Sequence, residues 1–464
     1  MLGVRGGACH TRAVRWTLDE ITAATGGRLH GDGGTGVDGV TQDSRNVRPG
    51  MLFVPLVAER DGHDFIADAV AAGASAYLTA RGPTGVAAAA VEVDDTQAAL
   101  TALGEQARRR LGAAAVVGIT GSVGKTTTKD LLAAVLARDR RVWSSARSFN
   151  NEIGVPITLL SAPADAEALV VEMGSRGAGH IAELCRMARP TMGVVTTVGL
   201  SHTSELGSLA AVVSAKRELV EALPAAADGG VAFLNASVPE VASMAGATAA
   251  RVVTFGAGGD VQARDLTLDD ELTPRFVLQS PVGEVHVELG ARGVHSVDNA
   301  LAAAAVGIQL GVSLHDVAAG LAEPRLSPLR MEVLRTASGA RLLNDCYNAN
   351  PLSMRSALHA LAALPSERRI AVLGTMAELG EFEAAEHAAI GALAAGLGVR
   401  VVAVDAPGYS HGDATAAVVE GIDGALAALR SLGGPAADDA VLVKGSRVAG
   451  LERLVARLVA DTDA

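Results

Sequence analysis

At 464 residues the chain is too long for a single hydrophobic core and has room for about three domains of ordinary size. Apolar residues make up 49% and charged residues 19%, which excludes a disordered chain, and the net charge of −12 argues against a nucleic-acid partner, whose phosphates call for a basic surface. An aromatic content of 3% leaves little from which to build a base-stacking platform.

Cys9, Cys185 and Cys346 lie far apart without metal or disulfide spacing, as expected in a reducing compartment. No run is long enough to span a bilayer, so a soluble cytoplasmic protein without membrane insertion is expected.

In chain order, Thr17 caps a short helix and Glu20, three residues on, completes a capping box. Ser44 and Arg45 fall on a loop just before the apolar run Met51-Leu52-Phe53-Val54, where they suit a phosphate or sugar edge. Asp43-Ser44-Arg45 fits a simple hydrogen-bonded turn equally well. The Ala-rich segment from Thr96 to Arg110 is predicted to be a connecting helix.

That helix leads into Gly118-Ile119-Thr120-Gly121-Ser122-Val123-Gly124-Lys125-Thr126-Thr127-Thr128. An apolar strand from Ala113 to Val117 precedes the stretch, and Leu131, Leu132, Val135 and Leu136 recur behind it at helical spacing. Strand, glycine turn and helix form the setting of a phosphate-binding loop: backbone N–H groups point inward, the helix N-terminus adds positive potential, and Lys125 reaches the outer phosphates. Thr126 stands where a hydroxyl meets Mg²⁺. Ile119 replaces the first glycine of G-x-x-x-x-G-K-[ST], giving a more compact variant.

Beyond the loop, alternating strands and helices predict a largely parallel α/β sheet, whose ligands gather at the carboxyl ends of its strands. Glu172 closes one apolar strand and His202 follows another, which makes both candidates for a metal site with Thr126; a helix-capping Glu and a structural His are the alternatives. Asn150 and Asn151 offer paired amides to a polar ligand, though Asn-Asn is also ordinary turn chemistry. On local grounds Lys216, in an apparent helix from Ser214 to Val220, is a solvated surface lysine. From Arg251 to Leu289 the pattern turns to alternation, predicting hairpins appended to the sheet. The polar cluster around His295, Asp298 and Asn299 then opens an Ala-rich helix from Leu301 to Leu310. After Pro328, three apolar strands with helices between them predict a second, smaller doubly wound sheet.

Together these motifs resemble the Mur ligases, the ATP-dependent amide-forming enzymes of bacterial peptidoglycan assembly, over nearly the whole chain after the first dozen residues. The resemblance rests on Asp43-Ser44-Arg45 and Asp61-Gly62-His63-Asp64-Phe65, then the loop from Thr120 to Thr126, Phe149-Asn150-Asn151-Glu152, Glu172-Met173-Gly174, Ala215-Lys216 and His295 to Ala300. Arg330-Met331-Glu332, Asp345-Cys346-Tyr347-Asn348-Ala349-Asn350-Pro351, Gly374 to Gly380 and Lys444-Gly445-Ser446-Arg447 complete it. Glu172-Met173-Gly174 runs on into Ser175-Arg176 where the family form is Ala-Asn, and Val123 stands where a small or polar residue is usual. The absence of the Asp-Asn-Pro-Arg signature of the diaminopimelate-adding member favours the dipeptide-adding branch.

The resemblance implies an α/β fold in three domains: a small N-terminal domain binding a UDP-linked substrate (1–112), a central P-loop-type parallel-sheet ATPase domain (113–327) and a C-terminal Rossmann-like ligase domain (328–464). It implies that D-alanyl-D-alanine is joined to UDP-N-acetylmuramoyl-tripeptide through an acyl phosphate, with ATP and Mg²⁺, by a monomer. Lys125, Lys216, His202 and Arg330 become the catalytic set, and Gly121, Ser122, Val123, Gly124, Lys125, Thr126, Thr127, Asn299, Arg330 and Asp345 the nucleotide site. Thr126, Glu172, His202 and a carbamylated Lys216 are implied around metal, with Ser44, Arg45, Asn150 and Asn151 at the UDP-peptide. The alternatives are another Mur-type or folylpolyglutamate-type amide ligase and, from a different class, a nucleotide-dependent switch protein.

Overall fold

The computed structural model describes residues 15–112, 114–200 and 203–460. It divides into two compact units, one formed by Met1–Gly118, Arg140–Met173 and Ala182–Thr191, the other by Ile119–Asp139, Gly174–Ile181 and Met192–Ala464.

In the first unit the Thr17 capping box forms as expected: the Thr17 hydroxyl accepts from Glu20 N and the Glu20 carboxylate accepts from Thr17 N at 2.9 Å. A five-stranded sheet follows in the order Arg28–His30, Ala89–Glu92, Ala76–Thr79, Leu52–Phe53, Val40–Thr41. All of its pairs are parallel except the first. Phe53, Ile66, Ala69 and Tyr77 close its core. The connecting helix spans Thr96–Arg110, capped by Asp95, whose carboxylate accepts from Gln97 N and Ala98 N. The unit also holds the parallel pair Val142–Ser144 and Ala168–Glu172.

The strand before the phosphate loop, Ala115–Thr120, passes from one unit into the other. In the first, Ala115 N donates to Glu167 O and Thr191 N to Val116 O, both at 3.0 Å. In the second, Thr120 O accepts from Thr196 N at 3.0 Å.

The second unit contains the loop helix Lys125–Leu136 and the parallel strands Met192–Val195, Val231–Asn235 and Arg251–Phe255. Arg251–Phe255 therefore corrects the hairpin expectation at its start, because its Val252 and Val253 ladder onto a buried apolar strand instead of folding back on the following chain. The antiparallel sheet begins only at Gln262–Leu268 and continues through Pro274–Ser280 and Gly283–Glu288, turning at Ser280 to Gly283 as the sequence indicates. The Ala-rich helix starts at Ser296, earlier than the apolar spacing suggests, because Ser296 Oγ and Asn299 Nδ2 bond back to Arg292 O and His295 O.

The C-terminal part of this unit is one six-stranded sheet, in the order Glu332–Arg335, Arg341–Asp345, Ala440–Lys444, Arg369–Leu373, Arg400–Val404, Thr415–Val419. It is parallel except for the first pair. Apolar clusters cover both faces: Leu343, Ala371 and Leu442 point to one, Leu342, Val372 and Val441 to the other. Near-continuous apolar strands are what burial on both faces requires.

Candidate active site

The phosphate loop is shaped by two glycines that no other residue can replace without displacing a neighbour. Gly121 has φ +146° and Gly124 φ +87°. A Cβ on Gly121 would lie 2.0 Å from Thr196 Oγ1, and one on Gly124 2.2 Å from Asn299 Oδ1. Lys125 is the first residue of the loop helix, and its Nζ donates to Gly121 O at 2.6 Å. Thr126 follows, buried, and Thr127 is half-buried.

A frame of hydrogen bonds from the segment after Met192–Val195 holds this loop. Ser122 N donates to Thr197 O at 2.9 Å and Val123 N to Thr197 Oγ1 at 3.0 Å. Thr196 Oγ1 donates to Val123 O at 2.6 Å, and Ser122 Oγ donates to Gly199 O at 2.9 Å. Thr196 and Thr197 match no motif in the sequence. Their only signal was their place at the carboxyl end of a parallel strand. From the other side Asn299 locks onto the loop helix by accepting from Thr128 Oγ1 at 3.2 Å, which sets its side chain against Gly124.

Lys216 lies in the helix Leu209–Glu221 and is 1% exposed, which overturns the solvated-lysine alternative. Burial, and then the charge of Lys125, bring its amine down to about 7 against a small upward pull from Glu218. An amine with that affinity for protons is a nucleophile at neutral pH. Ser201 and His202 lie outside the described residues.

The third group comes from the C-terminal sheet. Asp345 closes the strand Arg341–Asp345, forms an ion pair with the buried Lys444 and accepts from Met331 N at 3.2 Å. Lys444 Nζ also donates to Asn348 O at 2.9 Å. Burial pushes the His295 pKa down, and the charges of Asp345 and Lys444 act on it in opposite directions. The second unit thus brings the N-terminus of the Asn299 helix to the carboxyl ends of the two C-terminal strands that end in Asp345 and Lys444.

Arg330 also belongs to the second unit, its guanidinium 4.0 Å from the centre of the Tyr347 ring, and the remaining candidates belong to the first. Glu172 is buried at its strand end, and Oε1 accepts from Asn150 Nδ2 at 2.7 Å, so the amide orients the carboxylate. Asn151 instead uses its side-chain oxygen to accept from Gly154 N at 2.9 Å at the start of the helix Gly154–Leu160. Asp43 accepts from Arg45 N at 3.0 Å and from the Arg45 guanidinium, so the hydrogen-bonded turn at Asp43-Ser44-Arg45 is present. Arg45 still points largely into solvent.

Two family models match the chain. The Mur ligase middle domain matches residues 119–307, and the Mur ligase glutamate ligase domain matches residues 329–447. A UDP-N-acetylmuramoyl-tripeptide--D-alanyl-D-alanine ligase of Mycobacterium bovis is 42% identical over 90% of this chain and 91% of its own. The chain belongs to the Mur ligase family. An Escherichia coli relative bearing the same name is 37% identical, covering 95% of this Mur ligase and 98% of its own length. Among solved structures, a MurF from Acinetobacter baumannii superposes with a TM-score of 0.86 at 29% identity, over 97% of this Mur ligase and all of that chain. A MurF ligase from Thermotoga maritima in complex with ADP does so with a TM-score of 0.77 at 28% identity, over 90% and 96%.

Proposed function

We propose that this Mur ligase joins D-alanyl-D-alanine to UDP-N-acetylmuramoyl-tripeptide at the expense of ATP, in peptidoglycan precursor synthesis. The observation that carries the reading is the phosphate loop itself, with Asn299 against Gly124 and the buried Lys216 in the field of Lys125. Family membership, with relatives of that name matched along nine-tenths of the chain, supports the choice of substrates.

A peptide carboxylate resists attack by an amine. Transfer of the γ-phosphoryl group of ATP to its oxygen makes an acyl phosphate; the amine of the dipeptide then attacks the carbonyl carbon and phosphate leaves. No protein nucleophile is required, so the chain contributes position and charge. Lys125 neutralises the transferring phosphoryl group, and Arg330 acts on the same group from the C-terminal region. Asn299 receives adenine and Asp345 the ribose. Ser44 and Arg45 serve the uridine diphosphate, and Asn150 and Asn151 the muramoyl peptide.

Mg²⁺ supplies charge neutralisation on the phosphates. The hydroxyl of Thr126 and the carboxylate of Glu172 are oxygen donors of the kind a hard cation takes, with His202 and Lys216 at a second ion. A cationic amine would repel that ion. Reaction of neutral Lys216 with CO₂ gives a carbamate whose oxygens attract it, and an amine held near 7 is available for that reaction. The proposed domains are 1–112, 113–327 and 328–464, consistent with family matches starting at 119 and 329. The working unit is proposed to be a cytoplasmic monomer.

The test is ADP release with UDP-N-acetylmuramoyl-tripeptide, D-alanyl-D-alanine and ATP, omitting each in turn. Release that needs all three supports the ligase. Release that needs another amino acid in place of the dipeptide points to a sister amide ligase, and steady hydrolysis without any acceptor points to a switch.

A further inference from the structure

Asn235 closes the strand Val231–Asn235 and is buried there. Its side-chain amide is engaged at both ends. Nδ2 donates to Thr196 O at 3.0 Å and to Asp298 Oδ2 at 3.2 Å, while Oδ1 accepts from Ser237 N at 2.9 Å. A backbone carbonyl only accepts and a backbone N–H only donates, so these partners fix which way the amide faces. Aspartate or leucine at this position would supply no donor to either oxygen.

Each of those two oxygens belongs to a support of the phosphate loop. Thr196 N donates to Thr120 O at 3.0 Å and Thr196 Oγ1 donates to Val123 O at 2.6 Å, so Thr196 carries the loop backbone. Asp298 lies in the first turn of the helix Ser296–Gln309, one residue before Asn299, whose side-chain oxygen accepts from Thr128 Oγ1 of the loop helix. One buried amide therefore joins the frame of the loop to the helix that carries Asn299. We propose that Asn235 is a positioning residue for nucleotide binding, its amide holding the loop frame at Thr196 and the Asn299 helix at Asp298 at the spacing that ATP requires. The inference rests on the proposed function, in which the loop receives the phosphates and Asn299 the adenine.

Binding of a non-hydrolysable ATP analogue to the full-length enzyme, read by calorimetry, tests it in Asn235→Ala, Asp298→Ala, Asp298→Asn and the double variant Asn235→Ala with Asp298→Ala. Asp298→Ala cuts the tie from the helix side, whereas Asp298→Asn keeps an oxygen for Asn235 Nδ2. Each single alanine variant is expected to bind the analogue about tenfold more weakly, the scale of a lost buried hydrogen bond, with the KM for D-alanyl-D-alanine unmoved at saturating ATP. Asp298→Asn is expected to stay within about twofold of wild type, and Asp298→Ala to add nothing in the Asn235→Ala background, where the tie is already gone. An Asn235 that only stabilises the fold would lower the thermal midpoint of its variant and leave the folded protein binding the analogue as wild type does. That result, multiplying losses in the double variant, or an equal loss in Asp298→Asn and Asp298→Ala overturns the inference and leaves the ligase reading intact. A wild-type enzyme that fails to bind the analogue overturns the nucleotide site itself, and this inference with it. Should Asn235→Ala not fold, the two Asp298 variants decide: wild-type affinity in Asp298→Ala overturns the inference.

Discussion

Lys125 makes Lys216 harder to charge. The two amines belong to the same unit, and the second is held near 7 by burial and by the first. This couples the phosphate loop to a helix that begins 84 residues after the loop lysine, and it has a consequence for stability. The ordinary lysine value is 10.5, so between about 7 and 10.5 the unfolded chain binds the proton that the folded chain has released. Unliganded stability should therefore rise with pH through that window, with the full penalty present below it. Urea unfolding at intervals from pH 6.5 to 9.5 should show the rise in the wild type and a flatter profile in Lys216→Met.

The same residue separates two accounts of catalysis. If Lys216 works as a carbamate, Lys216→Ala should be nearly inactive and short carboxylic acids should restore part of its turnover by supplying the missing anion. Lys216→Arg should be inactive and resist rescue, since guanidinium forms no carbamate and stays cationic. Wild-type turnover in Lys216→Arg would sink the carbamate.

Lys125→Ala should lower kcat by at least about 100-fold, the scale of losing one preorganised charge on a developing anion. The fold should survive, because the Lys125 side chain is only half-buried and contributes to no apolar core. Circular dichroism and turnover measured on the same sample check both halves of the claim.

Gly124→Ala meets two obstacles at once, a left-handed φ of +87° and an oxygen of Asn299 at 2.2 Å from the new Cβ. The backbone strain alone should cost about 1–2 kcal/mol. Displacing Asn299 should in addition weaken ATP binding at least tenfold, which calorimetric titration with a non-hydrolysable ATP analogue would read. Binding as tight as wild type would show that Asn299 does not depend on the loop.

Local chemistry was legible in the sequence where the determinants are local. The Thr17 capping box, the Thr96–Arg110 helix, the turn at Ser280 to Gly283 and the strand-loop-helix around Lys125 each depend on residues a few positions apart, and each forms as read. Arg251–Phe255 was misread because a short alternating run fits an edge hairpin and a parallel partner equally well, and only the neighbouring strand Val231–Asn235 decides between them. The frame of the loop was invisible for a related reason: Thr196 and Thr197 bond to Val123 from more than 70 residues away. Burial of Lys216 could not be read from its own helix, since its neighbours Arg217 and Glu218 are charged, and the resemblance to a family supplied what spacing did not. Asn151 shows that the turn chemistry read for Asn-Asn is present, its side-chain oxygen accepting from Gly154 N at the helix start.

The central claim is that the peptide carboxylate is activated by phosphorylation before the amide forms, and one isotope measurement addresses it directly. UDP-N-acetylmuramoyl-tripeptide labelled with ¹⁸O in its reacting carboxylate is turned over with ATP and D-alanyl-D-alanine, and the released phosphate is examined by mass spectrometry. An acyl phosphate leaves with the oxygen that linked carbon to phosphorus, so the account predicts one ¹⁸O atom in each phosphate formed. Phosphate free of ¹⁸O, with amide product still accumulating, would contradict it.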